Sequence, residues 1–191
     1  MSSRRVRLVA AAVLTLAATA GCSDSGSTPP STTTTTAADP PATHQIRVTS
    51  SAVVDGAALP DEYTCAKGGR VLPLSWTTPP ETARFALIVD DPDAADGGFT
   101  HWVIIDIPAT ITEISGSGTL VDGTVLTNSA GRADYAVPCP PPDTGIHHYR
   151  FTVHALPNRL SLPWETPPDQ ARTSIEQASI AQGSLTATYS R

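Results

Sequence analysis

The hydrophobic positions from residue 46 onwards fall in short runs that are separated by turn residues. Residues 46–48 open this pattern, and the runs at 84–89 and 101–107 are rich in β-branched and other aliphatic side chains. Residues 184–189 return to the same character near the end of the sequence. Short apolar runs between turn residues are typical of buried strands, so the pattern predicts a mainly β domain.

Residues 149–156 alternate instead of forming a continuous apolar run. The odd positions from Tyr149 to Ala155 are apolar, whereas Arg150, Thr152 and His154 occupy even positions. Successive side chains of a strand point to opposite faces, so this segment predicts a strand with one side towards the core. The preceding loop holds prolines at 138 and 140–142. Proline cannot lie in a central strand, so this loop is expected to be stiff.

Only residues 166–178 have the pattern of a helix. Pro167 and Pro168 stand at its start, Asp169 follows, and most of the remaining residues are good helix formers. The fold class is therefore mainly β with a short helical segment near the C-terminus. The regular succession of strands and helices that builds a parallel nucleotide-binding sheet is missing from the pattern, and we expect no cofactor.

The first 21 residues have the organisation of an export signal. Three arginines precede an apolar stretch at residues 8–20, which is too short to span a bilayer comfortably. The motif Thr19-Ala20-Gly21-Cys22 resembles a bacterial lipobox, in which the cysteine receives a diacylglycerol and becomes the new N-terminus. We therefore expect lipidation at Cys22 and residence at the extracytoplasmic face of the cell membrane. The alternative is an ordinary secretory peptide that is cut near Ala20.

Residues 22–45 have the composition of a tether. They are rich in serine, threonine and proline, and they offer almost nothing to bury. The Ser/Thr run can carry O-linked sugars or remain unmodified. Residues 46–191 then form one domain, which is a usual length for a single core.

The charge balance excludes one class of partner. The sequence has 12 basic and 18 acidic side chains, and loss of a leader with three arginines leaves nine basic residues and a formal charge of −9. Binding to a polyphosphate backbone depends on clustered Lys and Arg, so nucleic acid is excluded as a partner. Membrane residence is expected to come from the acyl anchor and not from surface charge.

The sequence contains three cysteines. Lipidation of Cys22 would leave Cys65 and Cys139 as a possible disulfide in an exported protein. Two buried free thiols are the alternative, because sequence cannot show whether the two Cα atoms are close enough.

Two polar clusters beside strand-like runs are the candidate site. Asp90, Asp91 and Asp93 follow one strand, and His101 begins the next, so a hairpin would bring them close. A carboxylate near His101 would hold the imidazole in its charged form, as a donor to an anion. In the second cluster, His147 and Tyr149 have the spacing that places both on one strand face, while His148 faces away. The alternative is a simple Asp-Pro-Asp turn and structural histidines.

The same residues resemble two signatures of a known family, the phosphatidylethanolamine-binding proteins. The first runs from Asp91-Pro92-Asp93-Ala94 to His101-Trp102 and an apolar strand that ends in Ile107-Pro108. The second comprises Tyr135, Pro138-Cys139-Pro140-Pro141 and Gly145-Ile146-His147-His148-Tyr149. The resemblance covers residues 46–191 and is closest to the bacterial Raf-kinase-inhibitor-like branch.

The resemblance implies antiparallel Greek-key β-sheets and a small pocket for phosphate-type anions or phospholipid head groups. Carried over by position, Asp91, His101, His147 and Tyr149 line this pocket, and Tyr135 and the loop from Pro138 to Pro141 form its rim. The sequence departs from the family pattern in several places at or near the pocket. Ala95 replaces a proline, Val137 a glycine, His148 an arginine and Ala66 an aspartate, and Val71-Leu72-Pro73-Leu74 stands for Ser-Pro-Pro-Leu.

The sequence is compatible with two functions. The favoured one is a tethered binding module for a small anion or a phospholipid head group. The alternative is an inhibitor or regulator that contacts an extracytoplasmic protease or kinase. An enzyme is not expected, because the sequence has neither the His-x-x-x-His spacing of a helical zinc site nor a Gly-x-Ser-x-Gly elbow. We therefore assign no catalytic residue and no metal ligand.

Overall fold

A computed structural model describes residues 45–117 and 122–191 of the protein. The predicted signal peptide, Cys22 and the tether up to residue 44 lie outside these ranges. The strands are β1 (Val48–Thr49), β2 (Leu74–Trp76), β3 (Arg84–Asp91), β4 (Phe99–Pro108), β5 (Glu113–Ile114), β6 (Thr124–Leu126), β7 (His147–Leu156) and β8 (Ala181–Tyr189). One α-helix, α1 (Pro168–Ala178), lies between β7 and β8.

The strands form two antiparallel sheets. The larger has the order β6-β4-β3-β7-β8, and the smaller has the order β1-β2-β5. Strand β3 lies at the centre of the larger sheet, where Leu87 pairs with Ile104 of β4 on one side and with Val153 of β7 on the other. Seven of its eight residues are buried, which explains its continuous apolar sequence.

The main core fills the space between the two sheets. Phe85, Leu87 and Val89 of β3 face into it, and Leu74 and Trp76 of the smaller sheet belong to the same cluster. Apolar surface removed from water on this scale supplies most of the driving force for folding. Because this core lies between the two sheets, the ends of the strands can carry polar side chains.

A second core covers the opposite face of the larger sheet. Ala171 and Ile175 of α1 pack with Ile88, Val103 and Leu156, among others. The alternation in β7 predicted one face towards the core, and Tyr149, Phe151 and Val153 lie in the main core. The second half of the other face is buried as well. His154 and Leu156 are buried, because the sheet face that they share is covered by the helix.

Helix α1 begins as predicted, directly after Pro167, and its first turn contains Asp169. It is joined to β3 through Arg172, whose Nη2 donates to Asp90 Oδ2 over 2.9 Å. Asp90 also accepts from Arg150 of β7, so one buried carboxylate connects the helix with two strands. The mainly antiparallel β fold with one short helix near the C-terminus is confirmed.

Within residues 45–117 and 122–191, the structure contains no helix with the length and hydropathy needed to cross a bilayer.

Candidate functional site

The two polar clusters meet at one end of the larger sheet. Strand β3 lies between β4 and β7, with Asp91 paired to Phe99 and Asp90 paired to Arg150. The end of β3 and the starts of β4 and β7 therefore adjoin a cavity of about 610 Å³. Its lining includes Asp91, Asp93, Asp96, Phe99, His101, Arg132, Ala136, Val137, Cys139, Pro140, Pro141, Thr144, His147 and Tyr149.

A chain of hydrogen bonds crosses the cavity from Asp91 to Pro141. His147 Nδ1 lies 2.7 Å from Asp91 Oδ2, and both side chains are 4% exposed. His147 Nε2 lies 2.9 Å from Thr144 Oγ1, which donates its hydrogen to the Pro141 carbonyl over 2.8 Å. These two bonds hold the His147 ring in one orientation, between the Asp91 carboxylate and the Thr144 hydroxyl.

His101 is held by a different partner from the one that the sequence indicated. Its Nδ1 donates to the Ala136 carbonyl over 2.7 Å. The expected carboxylate partner is wrong, because Asp91 Oδ1 accepts from the Asp93 amide and Oδ2 is bonded to His147. Burial lowers the pKa of His101, against the opposing effect of the Ala136 bond and of Asp91. The ring is thus neutral at pH 7, not charged as expected.

Two residues that line the cavity have a polar atom without a hydrogen-bond partner in residues 45–117 and 122–191. These atoms are His101 Nε2 and Tyr149 Oη, and both are buried. The two rings meet edge-on at 5.2 Å between centroids. Burial, followed by the charge of Asp91, raises the pKa of the Tyr149 phenol. The phenol therefore keeps its hydrogen near neutral pH and is available as a donor.

Tyr135 and Pro138, which the resemblance placed at the rim, do not line this cavity. Tyr135 packs edge-on against Trp102 at 5.3 Å and lines a neighbouring cavity of about 600 Å³. Pro138 is buried, and its carbonyl accepts from the Cys65 amide over 3.1 Å. The loop places Val137, Pro140 and Pro141 along the cavity instead.

An exposed ion pair flanks the cavity and was not predicted. The backbone amide and Nδ1 of His148 both lie within 2.8 Å of Asp93 Oδ2. These bonds lower the pKa of Asp93. Sequence reasoning did place His148 on the opposite side from His147, but the pairing depends on how the two loops meet.

Three further residues of the site, Phe99, Ala136 and Thr144, were missed by sequence reasoning. Ala136 contributes only its carbonyl, and the Thr144 hydroxyl acts through a bond to a histidine three residues later. Neither role has a signal in the side-chain pattern. Phe99 packs edge-on against His101 at 4.7 Å and could have been found as the aromatic residue two positions earlier on the same strand face.

A disulfide holds one wall of the cavity. Cys65 and Cys139 are bonded, with Cα atoms 5.3 Å apart. The C-terminus supports the same loop, since the Arg191 carbonyl accepts from the Asp143 amide over 3.2 Å. The loop that carries Ala136, Pro141 and Thr144 is therefore fixed at several points along its length.

The sequence and the fold match one family of proteins. A family model described as phosphatidylethanolamine-binding protein matches residues 49–190. LppC of Mycobacterium tuberculosis, named as a candidate lipoprotein, is 38% identical over 149 residues, which are 78% of this chain and 74% of LppC.

Two solved structures are similar over most of their length. CT736 of Chlamydia trachomatis, described as a homologue of the phosphatidylethanolamine-binding proteins, has a TM-score of 0.71 at 30% identity, covering 78% of this chain and 99% of CT736. YbcL of Escherichia coli, described as a member of the mammalian family, has a TM-score of 0.71 at 27% identity, covering 76% and 98%. The chain therefore belongs to the phosphatidylethanolamine-binding protein family, and YbcL is among its structural neighbours.

Proposed function

We propose that residues 46–191 form a tethered binding module whose cavity accepts a phosphate-type group, either free or as a phospholipid head group. The observation that carries this proposal is the pair of buried, unpartnered polar atoms, His101 Nε2 and Tyr149 Oη. A buried polar group without a partner destabilises the folded state, and a ligand in the adjoining cavity can supply the missing bond. A phosphoryl group has several oxygens and can reach two neighbouring side chains at once.

The adjacent ion pair supports the same ligand class. The Asp91–His147 pair is buried and fixed by Thr144, so the imidazole is held in one orientation beside the cavity. Arg132 adds a guanidinium to the lining, with its Nε bonded to Asp134. The Arg132 guanidinium has further N–H groups that can donate to a small anion.

Binding is tested by titrating the purified domain with inorganic phosphate and phosphoethanolamine in a calorimeter. His147→Ala is expected to abolish binding while the thermal melt stays cooperative, because it removes the imidazole from the cavity wall and leaves the Asp91 carboxylate without this partner. The matched control is His148→Ala, which changes an exposed histidine beside the cavity and should retain affinity within a few fold. Unchanged affinity in His147→Ala would show that this cavity is not the binding site.

The proposal places the module at the extracytoplasmic face of the cell membrane, through an acyl chain on Cys22. Support comes from the lipobox-like sequence and from the naming of LppC as a candidate lipoprotein. Cys22→Ser should move the protein from the membrane fraction to the soluble fraction. If both proteins partition equally into membranes, lipidation at Cys22 is wrong.

The module is proposed to bind and not to catalyse. Thr144, His147 and Asp91 are arranged in the order of a nucleophile, base and acid. The Thr144 hydroxyl, however, donates to the Pro141 carbonyl, whereas a nucleophile must give its hydrogen to the general base. Turnover of a p-nitrophenyl ester or phosphate that is lost in His147→Ala would contradict this part of the proposal.

An inhibitor that contacts an extracytoplasmic protease or kinase is the second candidate. The observation in its favour is Ile146, which is 64% exposed directly before the buried His147. A large apolar side chain beside a fixed loop is a suitable protein contact. A stoichiometric complex with an envelope protease that survives His147→Ala but is lost in Ile146→Ser would favour this function over anion binding.

A further inference from the structure

The hydrogen bond between His101 and Ala136 determines what the open nitrogen of His101 can do. A carbonyl oxygen only accepts, so Nδ1 carries the hydrogen in this 2.7 Å bond. The ring is 5% exposed and burial disfavours its charged form. Nε2 is therefore a lone-pair acceptor in the free protein, and a ligand at this position must bring a hydrogen.

Tyr149 has the complementary role. Its Oη is buried without a partner, and its phenol retains the hydrogen, so it can donate to a ligand oxygen. His101 and Tyr149 pack edge-on at 5.2 Å between ring centroids. The two side chains thus present one acceptor and one donor within the span of a single small ligand.

The charges around the cavity disfavour a ligand with two negative charges. Its lining contains the carboxylates of Asp91, Asp93 and Asp96 and the guanidinium of Arg132. Asp91 and Asp93 are paired with His147 and His148. Arg132 is paired with Asp134, so it offers little free charge to balance Asp96. The lining therefore has little positive charge to balance a second negative charge on the ligand.

We infer that the cavity selects a phosphate monoester, or a phosphonate, that still carries one hydrogen. Its P–OH donates to His101 Nε2, and a second phosphoryl oxygen accepts from Tyr149 Oη. A phosphate diester has no P–OH and leaves the His101 nitrogen unpaired. The inference rests on the proposed function of the cavity, and it names the ligand class within that function.

The inference makes binding dependent on the proton of the ligand. The second ionisation of a phosphate monoester has a pKa of about 6, so above this pH the dianion must take up one proton from the buffer when it binds. The charged and titratable groups that face His101 are Asp90 and Asp91 of β3, His147 and Tyr149 of β7, and Arg132 in the lining. A ligand proton is distinguished from titration of any of these groups by changing the ligand.

The test compares methyl phosphate with dimethyl phosphate by calorimetry on the oxidised protein. At about pH 6 the diester should bind at least roughly tenfold more weakly, because it leaves a buried acceptor unpaired. Affinity for methyl phosphate should fall as the pH rises to about 8, approaching roughly tenfold per pH unit. Methylphosphonate, whose second ionisation occurs at higher pH, should keep its affinity to a correspondingly higher pH.

Each other result overturns the inference. Equal binding of dimethyl phosphate overturns the selectivity while leaving the proposed function intact. If the affinities for methyl phosphate and methylphosphonate decline at the same pH, the titrating proton belongs to the protein, and the inference is overturned as well. If inorganic phosphate and both esters fail to bind, the proposed function is wrong and the inference with it.

Two variants separate the roles of the side chains. His101→Gln replaces the fixed acceptor with an amide that can also donate, so discrimination between the two esters should be lost; a cooperative melt shows that the variant folds. Tyr149→Phe should weaken both esters by a similar factor and preserve the discrimination. His154→Gln changes a buried histidine outside the cavity and serves as the matched control, with discrimination unchanged.

The source of the monoester is distinguished with vesicles. Phosphatidic acid presents a monoester and phosphatidylethanolamine a diester, each in a phosphatidylcholine background. Flotation of the protein lacking its lipid anchor with phosphatidic acid vesicles would assign a lipid source, and binding of soluble methyl phosphate alone would assign a free one. Preferential flotation with phosphatidylethanolamine vesicles would overturn the inference.

Discussion

Tyr149 is fully buried, yet its hydroxyl has no partner among the described residues. The neighbouring His101 Nε2 is likewise buried without a partner among these residues. An unsatisfied buried donor or acceptor destabilises the folded state by about 1–3 kcal/mol. The fold tolerates this at the same cavity where a ligand can supply the missing bonds, which is the usual relation between local instability and function.

Tyr149→Phe is therefore expected to stabilise the protein in the absence of ligand. The ring packing remains, and the unpartnered hydroxyl is removed, so the free energy of unfolding should rise by about 1 kcal/mol. Urea denaturation of the ligand-free protein measures this change. Tyr189→Phe, on the neighbouring strand β8, is the control; a marked loss of stability specific to Tyr149→Phe would show that the hydroxyl is bonded in solution.

His154 makes the fold sensitive to acid. It is 2% exposed beneath α1, and burial, followed by the charge of Arg172, lowers its pKa to about 4. Between the ordinary value of about 6.5 and this lowered value, the unfolded chain binds a proton that the folded protein does not. Stability is thus retained above about pH 6.5 and lost as the pH falls towards about 4, by up to roughly 3 kcal/mol.

His154→Leu should reduce this loss. The variant places an apolar side chain of similar size at this buried position and has no group to protonate there. Its free energy of unfolding should therefore vary less over the same pH range. Urea denaturation at a series of pH values checks this. His148→Asn, at an exposed position, should leave the profile close to that of the wild type; equal slopes in all three proteins would refute the role of His154.

At the scale of the elements, β8 depends on a close approach by the chain before β1. Ile46 N donates to the Gln182 carbonyl over 3.2 Å, and a Cβ placed on Gly183 would collide with the backbone of Ile46. A backbone neighbour cannot move aside as a flexible side chain can. This contact therefore requires glycine for space and not for an unusual φ angle.

Gly183→Ala is expected to destabilise the protein by about 1–3 kcal/mol, because the segment at Ile46 must shift. Thermal or urea denaturation measures the effect. Ser184→Ala, at the next and exposed position of β8, is the control and should change stability by less than about 0.5 kcal/mol. A Gly183→Ala protein as stable as the control would mean that the segment at Ile46 is not packed against β8 as described.

At the scale of the whole molecule, the Cys65–Cys139 disulfide joins the region before β2 to the loop that walls the cavity. It spans 74 residues of sequence, and a crosslink of this span restricts the unfolded chain strongly. The paired variant Cys65→Ala/Cys139→Ala should lose about 2–4 kcal/mol of stability. It should also bind phosphate more weakly, because the loop that positions Ala136 and Thr144 is less restrained.

Urea denaturation of this double variant, with the wild type in oxidising and reducing buffer, checks the prediction. Reduced wild type should resemble the variant, and reduction should have no effect on the variant itself. Equal stability of all forms would mean that the disulfide adds nothing to the fold.

The sequence alone was sufficient for the long strands and the helix, but it did not predict the short strands β2, β5 and β6. Long apolar runs such as those in β3 and β4 leave few alternatives to buried strands, and Pro167 marks the start of α1. The family resemblance was also available, because its signature residues are contiguous in sequence. Four of the six predicted pocket residues, Asp91, His101, His147 and Tyr149, line the cavity.

The pairing of groups within the site was decided by the tertiary structure. The sequence placed Asp91 near His101 through a local hairpin, whereas insertion of β3 between β4 and β7 brings Asp91 to His147 and leaves His101 to a backbone carbonyl. Likewise, the burial of His154 follows from α1 packing over the far face of the sheet, which the alternation in β7 could not indicate. Periodicity reports which side of a strand is apolar, but hydrogen-bond partners and pKa values depend on contacts between residues distant in sequence.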